Sequence, residues 1–447
     1  SSVAACFEDY ATTPFNYLLN KIKPSPNTEP VLLGNFAGQL LDEEVRNDSE
    51  ENSYKKSVNE FFKKNAMGLL TAKMNGGFHD EAKRQKQNIR NAIKVDLPSM
   101  VSSFNPEEVI LEPSFFSEML GLQGRMDLLQ LDHRFLIEQK SGKGGYPQKD
   151  PNTPEVQEKH YVQMLLYVLL LRYNYREQYE RNNHELQEFL LYSKYKNSLV
   201  GLGFAPRLIF EAIKVRNGIA WSEIQYAKGG IKILEEISAD SLNDNQISTV
   251  LWERYQKKQI EDLLSPIRKA SDLERSYYYR FMTFLEAEHL LAKFGNKTKE
   301  NSGFAAKWHE SLEDKLQSGN IYDNLVLESP GEGFSGKVER VVLTFKEQDD
   351  NDMSNFRNGD IVILYPYDEG KEPDVRRSMV FRCSIEDISQ EQITLALRAA
   401  QSDAHVFLRS ADKKWAIEHD FFDSSFASLY RGMHAFLSAP QERRDLI

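Results

Sequence analysis

The chain has little cysteine, no long apolar run and no excess of positive charge, and each shortage removes a class of protein. Only Cys6 and Cys383 occur in 447 residues. A disulfide framework is therefore excluded, four-thiolate ligation of an iron-sulfur cluster is impossible, and a reducing cytoplasm is the expected setting. No apolar stretch reaches membrane-spanning length, and Ser1 to Leu19 lacks the basic-then-apolar layout of a secretion signal. The formal net charge of −11 argues against a general nucleic-acid coat, because contact with phosphates needs cations. Core-forming material is plentiful: 40% hydrophobic and 11% aromatic residues suffice for more than one domain.

Three spaced motifs carry the chemistry: Gly124-Arg125-Met126-Asp127, Glu138-Gln139-Lys140, and Gln163 with Tyr167. Gly121 to Leu131 and Arg134 to Lys140 read as partly buried strands, and Asp132-His133 between them predicts a hairpin. In a strand, Glu138 and Lys140 share a face while Gln139 points the other way. Asp127, on the preceding strand, would lie beside Glu138. Two carboxylates among hard oxygen donors suit Mg2+ or Mn2+, and such an ion acidifies water and stabilises charge on a phosphate under attack. Lys140 would hold or deprotonate the attacking water, or neutralise the phosphate. The helix expected from about Glu155 to Asn174 has its stripe at Val162, Leu165, Leu166, Leu169 and Leu170, with His160, Gln163 and Tyr167 on one face beside it.

Each motif has an ordinary explanation when taken alone. Glu-x-Lys recurs at Glu81 to Lys83 and Glu313 to Lys315, where charged helical surroundings make it a solvated face. Asp127 alone would be a turn acid, and Glu138 with Lys140 a surface pair on an edge strand. Their order, their strand-strand-helix placement and their apolar flanks together point to metal-dependent cleavage of phosphodiesters.

The stretch from Val109 to Tyr167, through Glu112-Pro113, Gly121 to Asp127, Ile137 to Gly142 and Gln163-x-x-x-Tyr167, resembles the RecB-type branch of the PD-(D/E)XK nucleases. The resemblance implies an α/β restriction-endonuclease-like core, a mixed sheet flanked by helices. It also implies Asp127, Glu138 and the Gln139 carbonyl as metal ligands, a catalytic Lys140, and Gln163 and Tyr167 lying against the active site and DNA. Gly124, Arg125 and His160, beside these, are the candidate substrate contacts. The family's first motif, Gly-x-x-x-His followed four residues later by an acid, has its best match in Gly34 to Gly38 with Asp42. Glycine replaces the histidine, leaving Asp42 as the candidate third protein ligand. His79 opens a charged helix and reads as a surface residue.

Phe189 to Ser193, the helix around Leu273 to Gly295, and the segments Trp415 to Asp420 and Ala439 to Asp445 resemble the front half of bacterial nuclease-helicase fusions. These are similar to the eukaryotic helicase-nuclease that trims flaps and resects ends. The resemblance implies single-stranded or flapped DNA as substrate, a role in repair or replication, and an ATP-driven helicase motor domain as partner, beginning shortly after such a C-terminal segment.

Four regions are expected: a nuclease domain at 1–200, a helical stalk at 201–320, a small β-barrel at 321–420 and a helical linker toward the motor at 421–447. Strands are expected at Val338 to Phe345, Asp360 to Tyr365, Met379 to Ile385, Ile393 to Leu397 and Trp415 to Glu418. The barrel could bind a single strand or serve as a spacer. Lys55, Lys56, Lys63, Lys64, Lys73, Lys83, Arg84, Lys86, Arg90 and Lys94 form a basic helical region, a DNA track or simply solvated faces. The aromatic band Tyr277 to Phe284 reads as core packing rather than a base-stacking platform. Gly331 to Lys337 matches most of a phosphate-binding loop, but Val338 replaces the Ser/Thr and a strand is expected where that motif needs a helix, so nucleotide binding is rejected there. The rivals to a nuclease are a nuclease-fold module that binds DNA without cutting and a sequence-specific restriction-type enzyme.

Overall fold

The computed structural model describes residues 3, 6, 16–24, 27–45, 54–74, 76–183, 185–243, 248, 250, 252–295, 303–332, 337–345, 354–401, 404–410, 412–420 and 424–446. The chain forms two units, one from Pro26–Pro206 and Ser311–Asp420, the other from Ser1–Ser25, Arg207–Glu310 and Phe421–Ile447.

The first unit holds a five-stranded sheet built from β1 (Val109–Leu111), β4 (Leu128–Gln130), β5 (Phe135–Lys140), β6 (Gln187–Tyr192) and β7 (Leu199–Gly201), in the order β1-β4-β5-β6-β7. It is mixed, because β5 and β6 run parallel while every other pair is antiparallel. A parallel pair needs a long crossover, and the helix Glu158–Asn174 lies within that connection. Alternation along β5 divides its side chains between two layers. Phe135 and Ile137 join Leu111, Leu128, Phe189 and Leu191 in a core shared with Leu32, Phe36, Leu40, Phe61, Phe78 and Ile89. Those last six lie on the helices Glu29–Val45, Tyr54–Lys64 and Phe78–Asn91. The other face of β5 carries Glu138 and Lys140 toward the Glu158–Asn174 helix.

The Asp132-His133 turn joins β4 and β5 as the expected hairpin. Gly121 to Leu131 is not one strand, however. Its first half, β3 (Leu122–Arg125), pairs with β2 (Ser114–Ser117), and its second half, β4, enters the main sheet. At the break the Met126 N–H donates to the Pro113 carbonyl (3.1 Å) and the Asp127 carbonyl accepts from the Glu112 N–H (3.0 Å). Glu112 itself has φ of 50°, in the left-handed region. The chain thus changes partners across Glu112-Pro113, which leaves Asp127 outside both ladders with its carboxylate turned toward β5.

A closed six-stranded barrel completes this unit, in the order β10-β11-β12-β9-β8-β13. Five strands lie where the pattern put them: β9 (Val338–Phe345), β10 (Ile361–Tyr367), β11 (Phe381–Ile388), β12 (Gln392–Gln401) and β13 (Lys414–His419). The sixth, β8 (Ile321–Glu332), is masked in the sequence by Asp323, Asn324, Pro330 and Gly331. It accommodates them with φ of 53° at Asn324 and with shifts of register against β9. The Gln401 side chain closes a two-bond clasp on Leu111 of β1, accepting its N–H (3.0 Å) and donating to its carbonyl (2.9 Å). Where the helix Leu312–Gln317 meets the barrel, Lys315 reaches both oxygens of Glu418 on β13 (3.1 and 3.0 Å), and Tyr365 donates to the same carboxylate (2.5 Å).

The second unit is helical. Asn16–Ile22, Lys257–Lys269, Asp272–Phe294 and Ser424–Ser438 surround a core that includes Leu18, Ile22, Leu264, Tyr278, Met282 and Leu437. A capping box between Ser271 and Glu274 starts the long helix. Its aromatic band is split: Tyr278 and Tyr279 are buried, whereas Tyr277 and Phe284 are exposed. Among the described residues, no helix is long and apolar enough to cross a membrane.

Candidate active site

The end of β5 turns a buried carboxylate and an ammonium onto one face, and the neighbouring helix meets them with an amide. Lys140 Nζ lies 2.8 Å from Glu138 Oε1 and 2.8 Å from Gln163 Oε1. Gln163 Nε2 donates to Glu138 Oε1 (2.7 Å) and to the Tyr167 hydroxyl (2.9 Å), and Tyr167 in turn donates to the Arg125 carbonyl (2.7 Å). The motif on β3, the motif on β5 and the helix are thereby tied into one chain of hydrogen bonds. Burial and the nearby Glu138 charge push the Tyr167 phenol well above its ordinary range, so it remains a neutral donor.

Asp127 completes the centre. Its Oδ2 accepts the backbone N–H of Gln139 (2.6 Å), which places it beside Glu138. Burial raises both carboxyls above their usual range, and the charge of Asp127 raises Glu138 further, while Lys140 opposes the shift in each. Gln139 turns its side chain the opposite way and donates to the Ala37 carbonyl (3.1 Å) on the Glu29–Val45 helix.

The residues fit a divalent ion. Glu138 is 4% exposed, and its Oε2 is buried with no hydrogen-bond partner. An unsatisfied buried carboxylate oxygen next to a second carboxylate is costly unless a cation occupies the gap. Asp127, Glu138 and the Gln139 carbonyl are all oxygen donors, the set that Mg2+ and Mn2+ accept along with water. Among the described residues, no three His, Cys, Asp or Glu side chains form a metal cage by themselves. Two carboxylates, a carbonyl and water are the donor set that remains.

The other predicted residues lie around this centre with different partners. The Arg125 side chain is exposed and pairs with Glu112 (3.0 Å), and Gly124 sits opposite Phe115 in the β2–β3 ribbon. His160 Nδ1 is engaged by the Tyr192 hydroxyl (2.9 Å), and burial with the charges of Lys140 and Lys159 lowers its pKa to about 3. It is thus a neutral ring beside the site rather than a second cation. His79 is exposed on the Phe78–Asn91 helix, with its ring stacked on Phe62. Most of the ten basic residues of the helical region are exposed, and Lys86 is half-buried near Glu44 (3.9 Å).

One supporting residue escaped the sequence analysis. Gln85, fully buried, donates to the Ser141 carbonyl (3.1 Å) and accepts from the Ser193 hydroxyl (2.8 Å). Asn88 donates to the Ser193 carbonyl (2.9 Å), and the Ser193 N–H reaches the Lys140 carbonyl (3.0 Å). The Phe78–Asn91 helix thus grips the chain just past the ends of β5 and β6, next to Lys140. The signal was present: Phe78, Ala82, Gln85 and Ile89 form one buried stripe in which glutamine is the misfit.

A mixed sheet with two acids, a lysine and a Gln-x-x-x-Tyr helix converging at the end of one strand defines a nuclease-type core. The sequence profile of the PD-(D/E)XK nuclease superfamily matches residues 4–310, and the chain belongs to that superfamily. Its members generally use divalent metals such as Mg2+. No curated protein matches the sequence. Among solved structures, the chain is similar to a Eubacterium rectale protein provisionally described as an exonuclease, at 13% identity and a TM-score of 0.32, over 52% of this chain and 81% of that one.

Proposed function

We propose that this protein is an Mg2+- or Mn2+-dependent deoxyribonuclease of the RecB type that hydrolyses phosphodiester bonds at single-stranded ends or flaps, as the nuclease module of a DNA repair or replication helicase-nuclease. The observation that carries the proposal is the Glu138–Lys140–Gln163 network with its one unsatisfied carboxylate oxygen. Asp127, Glu138 and the Gln139 carbonyl would hold the ion, which when bound supplies an acidified water and a positive charge for the phosphate. Lys140, held between Glu138 and Gln163, keeps its ammonium aimed at the water or at a phosphate oxygen. Gln163 holds both partners of that pair, and Tyr167 fixes Gln163 against the Arg125 carbonyl, so the lysine has little freedom to leave. Gly124, Arg125 and His160 border the strand's path, and the basic helical region offers it phosphate contacts. The preference for single strands, the repair role and the motor partner rest on the resemblance in sequence.

Cleavage of labelled single-stranded, flapped and duplex DNA with either metal, comparing wild type with Glu138→Ala, tests this. Metal-dependent cutting that the variant loses, strongest on flapped or single-stranded DNA, is the expected result. A folded wild type that binds DNA and cuts nothing would instead favour a non-cutting DNA-binding module, a reading that glycine at position 38 supports.

A further inference from the structure

The segment from Ser141 to Gln157 leaves the site at Lys140 and re-enters it through the helix that carries Gln163. Its outer part bears a ring that belongs to neither hydrophobic core. Tyr146 is 96% exposed, and no other large apolar or aromatic side chain among the described residues is exposed as much. Only six positions separate it from Lys140, so the two backbones stand within about 20 Å of each other.

The loop is braced where it leaves and where it returns. Tyr192 on β6 is the register partner of Lys140, and its hydroxyl accepts the Gln157 N–H (3.1 Å). The Gln157 amide donates to the carbonyls of Lys143 (2.7 Å) and Gly144 (3.2 Å). The Gly144 N–H donates to the Tyr195 hydroxyl (2.9 Å), and the Gly145 N–H to the Glu155 carbonyl (2.5 Å). The two arms run so close here that a Cβ at position 144 would stand 2.6 Å from the Glu155 carbonyl oxygen, an approach open to glycine alone. Farther along, Asn197 holds the Asn152 carbonyl and the Thr153 hydroxyl (2.9 Å each). Tyr146 follows directly on the braced Gly144-Gly145 pair, so the fold itself sets where its ring stands relative to Lys140.

An aromatic ring held in water gains nothing for stability, whereas a base laid on it does, and every base has a π-face to offer. Lys143 and Lys149 lie three residues to either side and are exposed, Lys149 near Glu155 (3.5 Å), an arrangement that suits phosphates flanking a stacked base. Bases inside a duplex are already stacked on one another, so the ring favours nucleotides that are unpaired.

We propose that Tyr146 stacks on an unpaired base of the bound strand, within a few nucleotides of the phosphate to be cut, and is the residue through which the site prefers single-stranded DNA. This role rests on the nuclease reading and adds to it the group that recognises the unpaired strand.

The test uses the full chain in EDTA, so that nothing is cut, and single-stranded oligonucleotides carrying 2-aminopurine at each position in turn, a base whose fluorescence is quenched when it stacks on an aromatic ring. Wild type and Tyr146→Phe are expected to quench it on binding at a defined position, and Tyr146→Ala to leave it bright. Tyr146→Ala should also bind single-stranded DNA about tenfold more weakly, with its affinity for hairpin-capped duplex unchanged. Quenching retained in Tyr146→Ala, an equal loss of affinity for single strand and duplex, or a Tyr146→Phe variant that behaves like Tyr146→Ala would each overturn the proposal. Failure of the underlying nuclease reading has a different signature: no cleavage by wild type with Mg2+ or Mn2+, whatever the fluorescence shows.

Discussion

Replacing Gln163 with methionine keeps the length of the side chain and removes every hydrogen bond it makes, so it isolates what the amide contributes. Two of those bonds involve charged partners, Lys140 and Glu138, and one goes to the neutral Tyr167 hydroxyl. Bonds to charged groups contribute about 1.5–3 kcal/mol each and a neutral one about 0.5–1.5 kcal/mol. The full sum is not lost, because Lys140 and Glu138 still meet directly at 2.8 Å and the thioether gains burial in a site where Gln163 is only 4% exposed. Net destabilisation of about 3 kcal/mol is expected, read as a lowered urea midpoint with an unchanged slope. Catalysis should suffer separately. Lys140 loses the Gln163 acceptor while keeping Glu138, and a small misplacement of a catalytic group costs about 100-fold in rate. Steady-state cleavage with saturating Mn2+ should therefore show kcat reduced by about two orders of magnitude with KM nearly unchanged, since the amide holds the lysine rather than the DNA. Wild-type kcat in a folded Gln163→Met would refute the reasoning. So would a loss recovered by adding more Mn2+, which would place the amide's contribution in ion binding instead.

Other consequences follow from single residues. Burial raises the Glu188 carboxyl from its ordinary 4.5 to about 6 against the pull of Arg172. The folded protein then binds this proton more tightly than the unfolded chain, so stability falls as pH rises through that window and stays lower above it. Glu188→Gln should remove that slope and raise stability near neutral pH by about 2 kcal/mol, measured by urea unfolding on both sides of the window; an unaltered slope would refute the assignment. Where the helix Leu312–Gln317 meets the barrel, Lys315→Met leaves the Glu418 carboxyl, 3% exposed, without its cation and with the Tyr365 hydroxyl still donating to it, and should cost about 3–5 kcal/mol, most of which a second change, Glu418→Leu, restores. Both effects are read from thermal unfolding, and a double variant no better than the single one would contradict them. Gly38→His tests the glycine in the first motif. A Cβ at Gly38 would meet nothing within 4 Å, and Asp42 lies on the same face of that helix, so the imidazole has room to approach the acids. Tighter Mn2+ binding in Gly38→His, by isothermal titration, is the expected outcome; unchanged affinity would mean that this face does not reach the ion.

The legible part of this fold is the part whose chemistry is local in sequence. Glu138 and Lys140 were placed on one face by strand alternation, and Gln163 and Tyr167 by helical spacing, because each pair sits within one regular element. Two features resisted for a common reason, that the apolar pattern does not record which partner a segment chooses. Gly121 to Leu131 carries apolar residues along its whole length, yet Pro113 and the left-handed Glu112 accompany a change of sheet at Met126, and that change is what frees the Asp127 carboxylate. β8 hides behind Pro330 and Gly331 because irregular register in a closed barrel tolerates residues that an open sheet would reject. Gln85 and Gln401 belong to a third kind. Each is a polar side chain whose meaning depends on a segment distant in the chain: Ser193 lies 108 positions from Gln85, and Leu111 lies 290 from Gln401. Sequence spacing finds the groups that an element presents to its own neighbours. The groups that hold one element against another arrive from elsewhere in the chain, Gln85 from a helix and Gln401 from the barrel, and their partners are set by the tertiary fold.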